Sequence, residues 1–183
     1  MARYADAATL FRTALVFVAA YMILVKYDIL LTVSTVIVVF LLDFVDGWLA
    51  RIDHKRGLKQ SFYGAKLDIA GDRVTEYSFW MVFTYLGIVP LFVIFIMFLR
   101  HSFSDAFTAS KGKTFQNMNT AFGKIAYSHV SRGGIGVVKA VTFIYLTLVY
   151  TAGYPILIGY ALTGILVAYI LLRGAAEIYE TLV

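Results

Sequence analysis

The chain has 183 residues, of which 61% are hydrophobic and 15% charged, with a mean hydropathy of +0.80. Soluble domains carry roughly 45–50% apolar and about 25% charged residues, so the surplus here has to face lipid and a free-standing soluble protein is excluded. The absence of cysteine excludes disulfides and thiolate metal sites, and the net charge of +5 matters through where it sits rather than its size.

A membrane span needs about 20 apolar residues, so this length holds about six spans with short connections and leaves no room for a second, soluble domain. The predicted fold is all-α and integral to the membrane, with six transmembrane helices and an N-terminal amphipathic surface helix in one domain over residues 1–183. The polar N-terminus, with no small-residue cleavage site after the first apolar run, predicts no cleavable leader. In chain order, residues 1–12 read as the surface helix and residues 10–25 as the first span; Lys26, Tyr27 and Asp28 form a polar turn. The second span is expected over 29–52, followed by a polar loop, and the third over 62–86, closed by the turn from Gly87 to Pro90. The fourth is expected over 91–107. The most polar part of the chain comes next, leading into a fifth span over 122–152, and Gly153-Tyr154-Pro155 turns the chain into a sixth over 156–177.

Alternating the spans puts Arg3, Arg12, Arg51, Lys55, Arg56, Lys59, Arg173 and the basic residues from Arg100 to Arg132 on one side. The other side receives only Lys26. By the positive-inside rule, both termini and the connections rich in Lys and Arg face the cytoplasm. No feature points to nucleic acid.

One stretch stands out. Asp43, Asp46, Gly47, Ala50 and Arg51 fall at helical spacings of 0, 3, 4, 7 and 8, on one face; Gly64, Asp68 and Asp72 repeat every four residues, on another. A carboxylate at mid-membrane costs about 2.5–3.5 kcal/mol on insertion scales, so four of them need strong compensation. Antiparallel neighbours can turn the two faces together, and one or two divalent cations then relieve the repulsion. An all-oxygen set selects Mg²⁺, Mn²⁺ or Ca²⁺ over zinc. Hard cations beside small residues and an arginine suit a diphosphate: Gly47 and Ala50 leave room for a phosphate, and Arg51 can hold it bidentately. On the residues alone, structural polar contacts between helices or a divalent-cation transport path remain open.

The pattern D43-x-x-D46-G47-x-x-A50-R51 followed by G64-x-x-x-D68-x-x-x-D72 resembles the signature of the CDP-alcohol phosphotransferase (CDP-alcohol phosphatidyltransferase) family, six-helix membrane enzymes of phospholipid synthesis. It departs in one respect. The twelve residues between Arg51 and Gly64 are more than the family's usual pattern has, and they fall in the polar loop. The resemblance implies Asp43, Asp46, Asp68 and Asp72 as ligands of Mg²⁺ or Mn²⁺, with Asp72 also the general base. It places Asp43, Asp46, Gly47, Ala50, Arg51, Gly64 and Asp68 around the CDP moiety. The implied reaction joins an alcohol to the lipid-bearing phosphorus of a CDP-lipid (CDP-diacylglycerol or CDP-archaeol) and releases CMP. A homodimer is the family's expected assembly.

Acceptors in such a family are either polyol phosphates, such as inositol or glycerol phosphate, or unphosphorylated alcohols such as serine. A phosphorylated acceptor needs cations, and Lys113, Lys124, Arg132 and Lys139 are the candidates. Arg132 and Lys139 are seven apart and share a face, and a lysine as deep as Lys139 is expected to have a partner. Glycines 133, 134 and 136 form no dinucleotide fingerprint and read as a place of close helix packing. His54, His101 and His129 lack ligand spacing and read as interfacial. Thr9 and Arg12 lie where the N-terminal helix can reach the nucleotide. Gly159, Ala161, Gly164 and Ala168 allow close packing of the last span.

Overall fold

A computed structural model describes residues 4–55, 64–111, 124 and 128–182. Its elements are all helices: α1 (Tyr4–Leu24), α2 (Ile29–Lys55), α3 (Gly64–Tyr85), α4 (Phe92–Lys111), α5 (His129–Ala152) and α6 (Ile156–Leu182). The N-terminal segment expected at the surface runs into the first span, continuous with it from Tyr4 as a single helix. Among the described residues three stretches are long and apolar enough to cross a membrane: Asp6–Leu24, Gly133–Ala152 and Ile156–Ala176. α2 and α4 hold shorter apolar stretches, Ile29–Val45 and Phe92–Ser104, while α3 opens on Lys66, Asp68, Asp72, Arg73 and Glu76. The expected loop after the second span begins later than predicted, since α2 continues to Lys55; residues 56–63 and 112–123 lie outside the described residues.

The helices are apolar on their outer faces as well as on their inner ones. On α1 the buried positions are Thr9, Arg12, Val16, Ala19, Ala20 and Ile23, a stripe at helical spacing that includes a charge and small residues. The opposite face shows Leu10, Phe11, Phe17, Val18 and Tyr21. Lipid tails are as apolar as leucine, so burying leucine gains little here, and close packing plus polar contacts hold the helices instead.

The chain groups into two compact units, and α5 runs through both. The first comprises residues 1–88 and 143–154. In it α1 packs on α2 and α3. A knot of rings fills its interior around the fully buried Phe143 of α5. Phe40, Phe79 and Phe83 stack on that ring at 6.0, 5.2 and 6.2 Å between centroids, and Trp80 meets it edge-on at 4.7 Å. Such pairs contribute about 0.5–1.5 kcal/mol each beyond area burial.

Turns in this unit are tight. Lys26, Gly87 and Gly153 have φ of 50°, 72° and 71°, left-handed values that end a helix abruptly. Lys26 also lies over the Tyr150 ring, 4.6 Å from its centroid. Asp28 accepts the Leu31 N–H at 3.0 Å and so caps α2.

The second unit comprises residues 89–142 and 155–183. Here α4 packs on α6, and Arg100 lies across Gly174: a Cβ at that glycine would stand 2.7 Å from Arg100 Nε. Ser128 caps α5 by accepting the Ser131 N–H at 3.1 Å. The Tyr169 hydroxyl donates to the Ser131 carbonyl at 2.9 Å, and a Cβ at Gly134 would stand 3.3 Å from that hydroxyl. The glycine run read as a place of close packing thus serves, at Gly134, the approach of Tyr169. His101 is buried on α4.

Candidate metal centre

Helix geometry sets the level of the site in the first unit. Arg12 lies twelve residues before the end of α1, Asp43 fourteen after the start of α2, and Asp72 thirteen before the end of α3. At about 1.5 Å per residue these are ~18, ~21 and ~20 Å from the tight turns, so three separate helices bring their charges to one depth. Asp43 continues the inner stripe of α2 through Val36, Val39 and Phe40, and Asp72 continues that of α3 through Thr75, Glu76 and Phe79.

Asp43, Asp68 and Asp72 converge. Each offers a carboxylate oxygen, and these oxygens lie within 4.8 Å of one another. The three side chains are partly open, with exposures of 32%, 53% and 42%. Three like charges so close repel unless a cation joins them.

The guanidinium of Arg12 does so from the closed side. Its side chain is 1% exposed; Nη1 donates to Asp43 Oδ1, Nη2 donates to Asp72 Oδ1 at 3.0 Å, and Nη2 also lies 3.8 Å from Asp68. One side chain of α1 therefore ties α2 to α3. The approach depends on Gly71, where a Cβ would stand 2.8 Å from Thr9 Cγ2, 3.1 Å from Arg12 Nη2 and 3.2 Å from Thr13 Oγ1. Glu76, one turn beyond Asp72, is buried as well.

The donor set fits a hard divalent ion. It is all carboxylate and compact, the oxygen-only donor set that such an ion takes.

The sequence profile of the CDP-alcohol phosphatidyltransferase family matches residues 2–176. The chain belongs to that family. The match runs through both compact units and includes the helices that carry the three aspartates. Among curated proteins no relative matches. Members of the CDP-alcohol phosphatidyltransferase family transfer a phospholipid head group from a CDP-alcohol and are generally dependent on divalent metal, and the apolar helices agree with a membrane protein.

Of the residues singled out in the sequence, Asp43, Asp68 and Asp72 are brought together and Gly64 begins α3. Asp46, Gly47, Ala50 and Arg51 lie on α2, but their side chains fall outside the described residues. Lys139 is half-buried on α5, and Lys124 is exposed. Arg132 is on α5 with its side chain outside the described residues, and Lys113 is outside them altogether. Arg12 had been read as a reach toward the nucleotide, and its contact with the aspartates was missed. A signal was present. A lone arginine followed by an apolar run demands a buried acidic partner. Gly71 was not singled out, because only the approach of α1 gives it meaning.

Proposed function

We propose that this member of the family is a six-span, single-domain enzyme. It transfers a lipid-phosphoryl group from a CDP-lipid to a polyol phosphate, in a reaction dependent on Mg²⁺ or Mn²⁺. The observation that carries this reading is the convergence of Asp43, Asp68 and Asp72, from the two halves of the family motif, within 4.8 Å. These residues, with Asp46, are the proposed ligands. Held by these carboxylates, a divalent ion would supply positive charge to neutralise the diphosphate and ease the departure of CMP.

The chain's own residues do the rest. Asp72 takes the proton of the acceptor hydroxyl as its oxygen bonds to the lipid-bearing phosphorus. The bond from that phosphorus to the bridging oxygen breaks, and CMP leaves with the electron pair. General-base help of this kind is worth about 10²–10⁴-fold. Gly47, Ala50, Arg51 and Gly64 border the CDP moiety. Arg132 and Lys139, seven apart on α5, are the proposed grip on the acceptor phosphate, with Lys113 and Lys124 as further cations near it. The site faces the cytoplasm, as do both termini, and the working unit is a homodimer.

The test is one assay: purified protein, a CDP-lipid, Mg²⁺ and a panel of alcohols, read by CMP formation. Turnover with inositol or glycerol phosphate and none with serine is the expected result. Turnover with serine alone overturns the acceptor. No CMP with any alcohol, together with divalent-cation flux in liposomes, overturns the reaction.

A further inference from the structure

We propose that Arg12 is a positioning residue of the metal centre: from α1 it holds Asp43 of α2 against Asp68 and Asp72 of α3, so that the ligands are assembled before an ion arrives, and it stays in place when the ion is bound. The inference rests on the metal-dependent reading above and adds a residue that lies outside the D-x-x-D and G-x-x-x-D-x-x-x-D motifs.

Three observations carry it. First, the guanidinium is divided between helices. Nη1 serves Asp43, and Nη2 serves Asp72 at 3.0 Å with Asp68 at 3.8 Å, so the contact spans the seam between α2 and α3. A lysine offers a point charge and cannot bridge two carboxylates with fixed geometry. Second, burial is one-sided. Arg12 is 1% exposed while its three partners are 32–53% exposed, so the arginine stands behind the carboxylates and leaves their open side to a ligand. Third, the space for it is built. Gly71 lets Arg12 pass, since a Cβ there would stand 3.1 Å from Nη2 and 2.8 Å from Thr9 Cγ2. A buried arginine on a membrane helix is costly without a partner, and these carboxylates supply it.

The consequence is that α1 belongs to the metal centre although it supplies no ligand. Residues that hold metal ligands in place typically change affinity by about 10–100-fold when removed. The experiment measures Mn²⁺ affinity by electron paramagnetic resonance of the free ion. It uses purified full-length protein, as wild type, Arg12→Gln, Asp43→Asn and the double variant. Arg12→Gln weakens Mn²⁺ binding at least tenfold, and the double variant loses less than the sum of the two single losses, because Arg12 acts in part through Asp43. Tighter binding in Arg12→Gln would make the arginine a competitor of the ion and overturn the proposal, as would strictly additive losses. A lower melting temperature with unchanged Mn²⁺ affinity overturns it too, leaving only a structural strut. Should Arg12→Gln fail to fold, phenylglyoxal labelling of the wild type decides. Arg12 stays protected with and without Mn²⁺ if it holds its place, and labelling that rises with Mn²⁺ overturns the proposal. No Mn²⁺ binding by the wild type at all overturns the metal-dependent reading itself, a result distinct from the others.

Discussion

Two seams of the molecule are built alike and differ in what they hold. Where α1 meets α3, an arginine crosses a glycine, Arg12 over Gly71; where α4 meets α6, Arg100 crosses Gly174. In the first seam the arginine ends among three carboxylates. In the second the residue beside the glycine is another cation, Arg173. The first unit thus brings three carboxylates onto the arginine that crosses its glycine, while the second carries Arg100, Arg132, Lys139 and Arg173. A glycine under an arginine is a packing device. In the first seam it is the three carboxylates around the arginine that make the crossing a candidate site for a cation.

The largest expected effect breaks the first seam at its chemistry. Asp68→Asn and Asp72→Asn each lower CMP formation by about 10²–10⁴-fold or more while circular dichroism stays helical; full turnover in either variant removes that aspartate from the mechanism. Chelation by EDTA comes next. It abolishes turnover, and added Mg²⁺ or Mn²⁺ restores it, read in the same assay. In the second unit, Lys139→Ala and Arg132→Ala raise KM for a phosphorylated acceptor by about 10–100-fold, the loss of a charge-assisted contact of about 1.5–3 kcal/mol. They leave KM for the CDP-lipid unchanged, and an equal rise for both substrates would dissolve the contrast between the units.

The two glycines sharpen the comparison further. Gly71→Ala meets the stiff, β-branched Thr9 and lowers stability by about 1–3 kcal/mol, read as the melting temperature in detergent. Gly174→Ala meets only the side chain of Arg100, which is flexible, and alanine gains up to about 1 kcal/mol of helix propensity, so its melting temperature changes less. The smallest effect is away from both seams. Asp28→Ala removes the cap of α2 and costs about 1 kcal/mol, with turnover unchanged.

Much of this was legible in the chain itself. Apolar runs of span length and turns at Lys26, Gly87 and Gly153 are local signals, and the helices follow them. The spacing of Asp43, Asp68 and Asp72 is local too, and their convergence needs only that α2 and α3 face one another. The Arg12 contacts reach 31 and 60 residues along the chain, and no local pattern pairs an arginine with one carboxylate over another. The N-terminal piece is expected to run into the first span, and the partners of Arg12 on α2 and α3 are what let α1 carry that charge unbroken. Gly71 looked like any small residue until a neighbouring helix gave it a purpose.

The left-handed turn at Lys26 makes α1 and α2 a pair of arms hinged at one end, with Arg12 and Asp43 far out along them. On an arm of ~20 Å, a tilt of about 5° displaces the outer charge by ~2 Å. Coordination distances tolerate only about 0.2 Å. The packing of α1 along α2 and α3 and the contacts of Arg12 with Asp43 and Asp72 are what oppose such a tilt, so the far ends of the arms keep the spacing on which an ion's cage depends.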